Sequence, residues 1–252
     1  MIQGYNIEFS KELYPVDPKA IARYREDEKR NVENLANYLL DATTIDANAI
    51  IERVFPTQKA DIFLSHSHDD RDLAVQLAID LQKNSGLSVF VDSCIWGSAD
   101  DLLLKIDDLF CRDAPGQNYR YQDRNRTTAH VHMILASALQ QMIDKADTLF
   151  FLNTDKSLSL EHSISGSQKT LSPWIHMELM FSSLVRRPPR PALEHAMLDA
   201  ASKRSAHKVV HAAPLNHLIA LQHHEFLQWI FDCSLANDKH AAIRTLYDRH
   251  PE

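Results

Sequence analysis

Glycine and cysteine are scarce in this chain of 252 residues, with five of one and three of the other. The shortage of glycine excludes a glycine-rich phosphate loop, so a Rossmann or P-loop nucleotide site is disfavoured. With ten prolines, it also excludes a loop-rich or low-complexity chain. Cys94, Cys111 and Cys233 are too few and too scattered for a disulfide framework. No apolar run is long enough to cross a bilayer, and Met1 to Asn6 lacks a charged-then-apolar leader pattern. A cytoplasmic location and no membrane partner are therefore expected. Basic charge is lacking too: the net charge of −7 gives phosphate no cationic face, which argues against nucleic acid. There is no internal repeat.

What is present is ordinary soluble composition, 44% hydrophobic and 24% charged. The length suits one large domain or a domain with an appendage. Residues 1–57 read as an N-terminal helical extension. Asp17-Pro18 starts a first helix, continued by Ile21, Tyr24, Val32, Leu35, Leu39 and Leu40, and Asp46 caps a second over 47–54. Residues 58–252 read as the main domain. Asp61 to Ser65 is a short strand breaking into the polar run Ser65-His66-Ser67-His68-Asp69-Asp70. A helix over 71–85 comes next, with Leu73, Leu77 and Leu81 on one face. Gly86 stops it, and 87–92 is a second strand. A helix over about 130–143, a strand over 148–152 and a helix after Ser172 continue the alternation.

Strand–helix–strand units with short connections imply parallel strands and right-handed crossovers. The expected fold class is α/β, a flavodoxin-like open parallel sheet flanked by helices. Ligands on such sheets gather at the carboxyl ends of the strands. Those ends are Ser65 to Asp70, Asp92 to Gly97 and Asn153 to Asp155. Between them lies a long insertion at about 93–130. Ser93 to Gly97 reads as a loop, 99–110 as a short amphipathic helix, and Arg112 to Thr128 as polar and aromatic connection. The insertion is either a functional lid or a solvated excursion. Arg186 to Pro191 reads as a rigid turn, Lys208 to Ala212 as an edge or final strand, and His217 to Ile230 as an amphipathic helix.

One stretch carries the most chemistry: Ser172-Pro173-Trp174-Ile175-His176-Met177-Glu178. Ser172 is a hydroxyl N-cap and Pro173 suits the first helical position. Trp174 and Glu178 are then four apart on one face. Together they read as a partly desolvated acid beside a stacking surface, or as a solvated glutamate beside a core tryptophan. Asp92 either orients a ribose or caps its loop, and Trp96 either stacks on a base or grips that loop. A serine–histidine–aspartate hydrolase within Ser65 to Asp70 is disfavoured, because adjacent residues rarely meet in triad geometry. A metal site from His66 and His68 is disfavoured as well, since no second spaced ligand group accompanies them.

The order of these motifs resembles a Toll/interleukin-1 receptor (TIR) domain of the prokaryotic NAD-consuming kind. The residues that carry the likeness are Asp61-Ile62-Phe63-Leu64-Ser65-His66-Ser67 with Asp69 and Asp70, then Leu87 to Asp92, Asp147 to Asn153, and Ser172-Pro173-Trp174 through Glu178. They span roughly 58–231. Three departures stand out: His66 where the family often has an aromatic, Ile175 where it often has cysteine, and the long connection after Asp92.

The resemblance implies a TIR fold and cleavage of the nicotinamide–ribose bond of NAD+. Glu178 would be the catalytic carboxylate, with Ser65, His66, Asp92, Trp96 and Trp174 binding substrate. NAD+ is then the substrate, and no cofactor or metal is expected. The products are nicotinamide and ADP-ribose, or a cyclic ADP-ribose isomer that signals to a separate effector in antiphage defence of the Thoeris type. TIR–TIR self-association is implied as well. The other reading is a non-catalytic TIR adaptor that works by homotypic binding.

Overall fold

The computed structural model describes residues 3–10, 12, 14–32, 46–54, 59–114, 118–159, 168–185, 209–235 and 239–249. Its centre is a five-stranded, all-parallel sheet of order β3-β2-β4-β1-β7. The strands are β1 (Gln3–Glu8), β2 (Ile62–Ser65), β3 (Val89–Val91), β4 (Thr148–Asn153) and β7 (Ile219–Gln222). A two-stranded antiparallel ribbon, β5 (Lys169–Thr170) with β6 (His211–Ala212), stands apart from it.

Apolar residues on both faces of β2, β3 and β4 explain a sheet covered on both sides. Along β4, Phe150 and Leu152 enter one apolar cluster while Leu149 and Phe151 enter the other. The first cluster joins the sheet to α1 (Pro18–Val32), α3 (Arg71–Ser85), α7 (His223–Leu235) and α8 (Lys239–Arg249), through residues such as Ile21, Leu77, Trp229 and Leu246. The second joins it to α2 (Ala47–Val54), α4 (Ser93–Phe110), α5 (Tyr121–Lys145) and α6 (Pro173–Leu184), through Ile50, Ile106, Leu139 and Leu179. The α/β, flavodoxin-like fold class expected from the alternation is the observed one.

Several boundaries differ from expectation. Residues 1–57 are not helical throughout: β1 lies inside the sheet, paired with β4 and β7. Its signal is a period of two, with Tyr5, Ile7 and Phe9 buried while Glu8 is exposed. The helices α1 and α2 start where the capping residues put them, and Leu35, Leu39 and Leu40, expected to continue the first, lie outside the described residues.

The 93–130 insertion is neither loop nor structureless excursion. Residues 93–97 are the first turns of α4, and α5 begins at Tyr121 rather than near His130. The turn between them is pinned. Arg112 lies 3.7 Å over the Tyr119 ring, and Arg124 Nε donates to the buried Asp107 Oδ2 at 2.8 Å. These contacts tie the described part of 112–128, the expected lid, to α4 and α5.

The stretch 217–230 splits into β7 and the start of α7, because β7 completes the sheet edge beside β1. Of the strand expected at 208–212, only β6 forms, and it pairs with β5 rather than the main sheet. The arginine–proline turn at 186–191 lies outside the described residues.

Gly86 ends α3 as expected. It adopts φ 69°, the left-handed C-cap conformation, and its N–H donates to Gln82 O at 3.0 Å. A Cβ there would meet nothing within 4 Å, so only the backbone conformation opposes a side chain. Gly86→Ala should therefore cost about 1 kcal/mol. Urea unfolding checks this, and an unchanged midpoint would mean the cap contributes nothing.

Candidate active site

The winding of the sheet reverses after β3, so the neighbouring strands β2 and β4 lead on towards opposite edges. That reversal opens the crevice where α/β sheets hold ligands. Ser65 is the last residue of β2, His66 comes directly after it, and Asp92 lies between β3 and α4.

The helix α6 brings Glu178 to these residues. Ser172 Oγ accepts from Ile175 N at 3.2 Å and Pro173 occupies the first turn, which sets the helix start as expected. Ile175, Glu178 and Leu179 then form one buried stripe at spacings of three and four. Glu178 is therefore carried into the core beside Leu179, and its exposure is 0%.

The glutamate's environment is unusual. Neither carboxyl oxygen, nor Ser65 Oγ, has a hydrogen bond of standard geometry. Burial pushes the Glu178 carboxyl well above its ordinary range, the nearby charge and carboxyl of Asp92 push it further, and the Ser65 hydroxyl opposes them. Burial and Asp92 both favour the neutral acid over the anion.

His66 is equally enclosed. Its Nδ1 lies 2.9 Å from Asp92 Oδ1 and 3.2 Å from Leu64 O, and its Nε2 lies 2.6 Å from Ser93 Oγ. Burial is the largest influence on the imidazole and lowers its proton affinity. The Asp92 charge and bond, the Leu64 carbonyl and Asp70 together outweigh it, leaving His66 above its ordinary value. Ser93 N also donates to Asp92 Oδ1, at 2.7 Å, tying the start of α4 to the cluster. Behind them, Thr154 Oγ1 donates to Asp70 Oδ2, and Ser157 Oγ donates to Leu152 O at 2.7 Å, anchoring the end of β4.

Of the residues singled out from sequence, Ser65, His66, Asp92 and Glu178 are brought together. Trp174 is half-buried one turn before Glu178 and packs edge-on against His132 of α5, ring centroids 5.6 Å apart. Its observed contacts are those of a helix–helix seam. Trp96 lies in α4, and its side chain falls outside the described residues. Ser93 joins the site although sequence reasoning does not single it out. Its position after Asp92, at a strand's carboxyl end, is the available signal, and reading the segment as a loop hides it.

Comparison with protein-family models, with curated proteins and with solved structures finds no match to this chain. The site therefore stands on its own geometry. Among the described residues, no three His, Cys, Asp or Glu side chains gather as a metal would need, and no helix is long and apolar enough to cross a membrane. A separate cavity of about 750 Å³ lies between α2, α4 and α5, lined in part by Ile51, Ile106, Phe110 and Ile134. Of its charged residues, Arg120 pairs with Asp123 at 2.6 Å and Arg126 lies 3.9 Å from the same carboxylate.

The raised proton affinities make stability depend on pH. Below about pH 4 the Glu178 carboxyl is protonated in both folded and unfolded chains. As pH rises the unfolded chain ionises first and binds fewer protons than the folded one, so stability falls. His66 acts in the same direction above about pH 6.5, its unfolded value. Glu178→Gln removes only the first effect. Its stability relative to wild type should therefore increase from pH 4 towards pH 8, as measured by urea unfolding. A constant difference across that range would show that Glu178 ionises as freely folded as unfolded.

Proposed function

We propose that this protein cleaves the nicotinamide–ribose bond of NAD+, with Glu178 as the acting carboxylate. One observation carries the reading: a fully buried carboxyl lacking standard hydrogen bonds, held neutral beside Asp92 and Ser65 at the crevice of the sheet. A buried acid of this kind is costly to keep, and such costs concentrate at functional sites. The TIR-like motif order supplies the substrate.

The chemistry suits a single carboxylate. Nicotinamide leaves a cationic pyridinium as a neutral molecule, so no acid has to protonate it, unlike an ordinary glycoside leaving group. An oxocarbenium-like ribose remains, and an ionised Glu178 stabilises it or bonds transiently to the anomeric carbon. The arriving pyridinium itself favours ionisation, since a nearby positive charge lowers a carboxyl's proton affinity. Substrate binding thus converts the resting acid into the working anion, and the carboxyl proton is released to solvent through the opened site. Glu178 has no exposure at rest, so the site must open to admit NAD+, and closing it again excludes water.

Water attack then gives ADP-ribose, and attack from within the molecule gives a cyclic isomer, suited to signalling to a separate effector in antiphage defence. Self-association through this domain completes the proposal. The enclosure of Glu178 also fits a second reading, a non-catalytic TIR adaptor whose glutamate is never reached.

Incubating the purified chain with NAD+ at low and high protein concentration, with products identified by mass spectrometry, separates the two. Nicotinamide release is the expected result. Its absence at every concentration would favour the adaptor.

A further inference from the structure

Glu178 and a neutral leaving group account for breaking the C–N bond, but not for making the bond that replaces it. A water or sugar hydroxyl that bonds to C1′ must lose a proton. Glu178 faces C1′ at that moment and cannot also take the proton without giving up its charge. Asp92 is occupied, accepting from His66 Nδ1 at 2.9 Å and from Ser93 N at 2.7 Å.

His66 is differently placed. Its Nδ1 faces two acceptors, Asp92 Oδ1 at 2.9 Å and Leu64 O at 3.2 Å, so that nitrogen carries the hydrogen. The neutral ring then presents a lone pair at Nε2, and Ser93 Oγ, 2.6 Å away, donates to it. The connectivity is carboxylate–imidazole–hydroxyl, the arrangement that moves a proton off an attacking oxygen. It is assembled from the ends of two neighbouring strands, not from the adjacent residues 65–70. All three members are buried, at 4%, 3% and 2% exposure for Asp92, His66 and Ser93. Asp92 also acts directly on Glu178, so the chain borders the acting carboxylate.

We propose, resting on the NAD+-cleaving reading of this site, that Ser93 and His66, oriented by Asp92, receive the proton of the hydroxyl that attacks C1′. The site is thereby built for an oxygen acceptor. The oxygen lone pair forms the C1′–O bond as the Glu178 contact or bond to C1′ breaks. The O–H proton passes to Ser93 Oγ while the Ser93 proton passes to His66 Nε2, and Asp92 stabilises the imidazolium. Nicotinamide has already departed with the C–N electron pair, and the imidazolium returns its proton to solvent when product leaves. No electrons are gained or lost.

Bond cleavage and acceptor attack can be read separately. Supplied with isotopically labelled nicotinamide, the enzyme exchanges label into NAD+ by breaking and remaking the C–N bond, a cycle that needs no proton acceptor. ADP-ribose species, linear or cyclic, form only after hydroxyl attack. His66→Gln should lower their formation about 10²-fold or more and lower exchange by a much smaller factor, so that the ratio of product to exchange falls. Ser93→Ala, a milder change for folding, should show the same split with smaller amplitude. Circular dichroism checks that both variants are folded.

Equal loss of exchange and product in both folded variants would overturn the proposal, making these residues mere supports of Glu178. Unchanged product formation would overturn it too. A wild type that exchanges and hydrolyses, with variants that do not split, sinks this inference alone. A wild type that does neither sinks the NAD+-cleaving reading and this inference with it.

Discussion

Glu178→Gln is expected to reduce nicotinamide release from NAD+ by about 10³-fold, equivalent to about 4 kcal/mol of transition-state stabilisation. The size comes from the enclosure of the carboxyl, since a charge formed in a dry, preorganised site acts far more strongly than one in water. The substitution is unusually clean here. Burial and Asp92 hold the resting Glu178 neutral, so an amide of the same shape replaces the form already present. The fold should survive unchanged. What glutamine cannot do is ionise when the pyridinium arrives. Activity and stability should therefore part company: release falls steeply while the unfolding midpoint at neutral pH stays equal or rises. Release at the wild-type rate would remove Glu178 from the mechanism. Parallel losses of activity and stability would mean it is a core residue whose neighbours cannot accept an amide.

The second large effect is on stability. Asp92→Ala should destabilise the fold by about 3–5 kcal/mol, the usual cost of breaking a buried pair from one side. Two buried groups lose Asp92 Oδ1 together, His66 Nδ1 and Ser93 N. One effect opposes this, because removing the aspartate charge also removes a repulsion against any ionised Glu178. The pair wins, since Glu178 is neutral at rest while His66, with no surface exposure of its side chain, cannot recruit water in its place. For a chain of this size the melting temperature should fall by roughly 10 °C. Calorimetry on wild type and variant measures it. A shift of only a degree or two would show that Leu64 O, 3.2 Å from His66 Nδ1, serves the imidazole adequately without Asp92.

Much of the architecture is legible because it depends on local rules. Leu73, Leu77 and Leu81 mark α3, Gly86 marks its end, and Ser172-Pro173 marks the start of α6; the structure places all three there. The apolar run before Asn153 is a fully buried strand. Gathering of chemistry at the carboxyl ends of β2 and β3 is legible for the same reason, since alternation alone implies parallel strands. The failures lie where a neighbour distant in sequence decides. Residues 3–8 escape a reading of the sequence because a short alternating segment is a weak signal on its own, and only pairing with β4 and β7 makes it a strand. Residues 219–222 look helical by spacing and become β7 because β1 offers them an edge. Likewise Ser93 to Gly97 looks like a loop. The bond between Asp92 and Ser93 N instead starts α4 immediately after β3.

The residue types at the site are thus set by sequence: a capped helix carrying Glu178, and Ser65, His66 and Asp92 at strand ends. Tertiary structure alone decided how they are charged and connected. Trp174, expected beside Glu178, packs edge-on against His132 at the α5–α6 seam. The carboxyl owes its neutral state to complete burial on the Ile175–Leu179 stripe and to Asp92 across the crevice. Serine, histidine and aspartate do form a hydrogen-bonded chain, but from Ser93, His66 and Asp92, residues 27 and 26 positions apart across two strands. Sequence specifies which side chains an element carries. Proton affinity and hydrogen-bond partners depend on dielectric and distance, and these exist only once the sheet and its helices have closed around them.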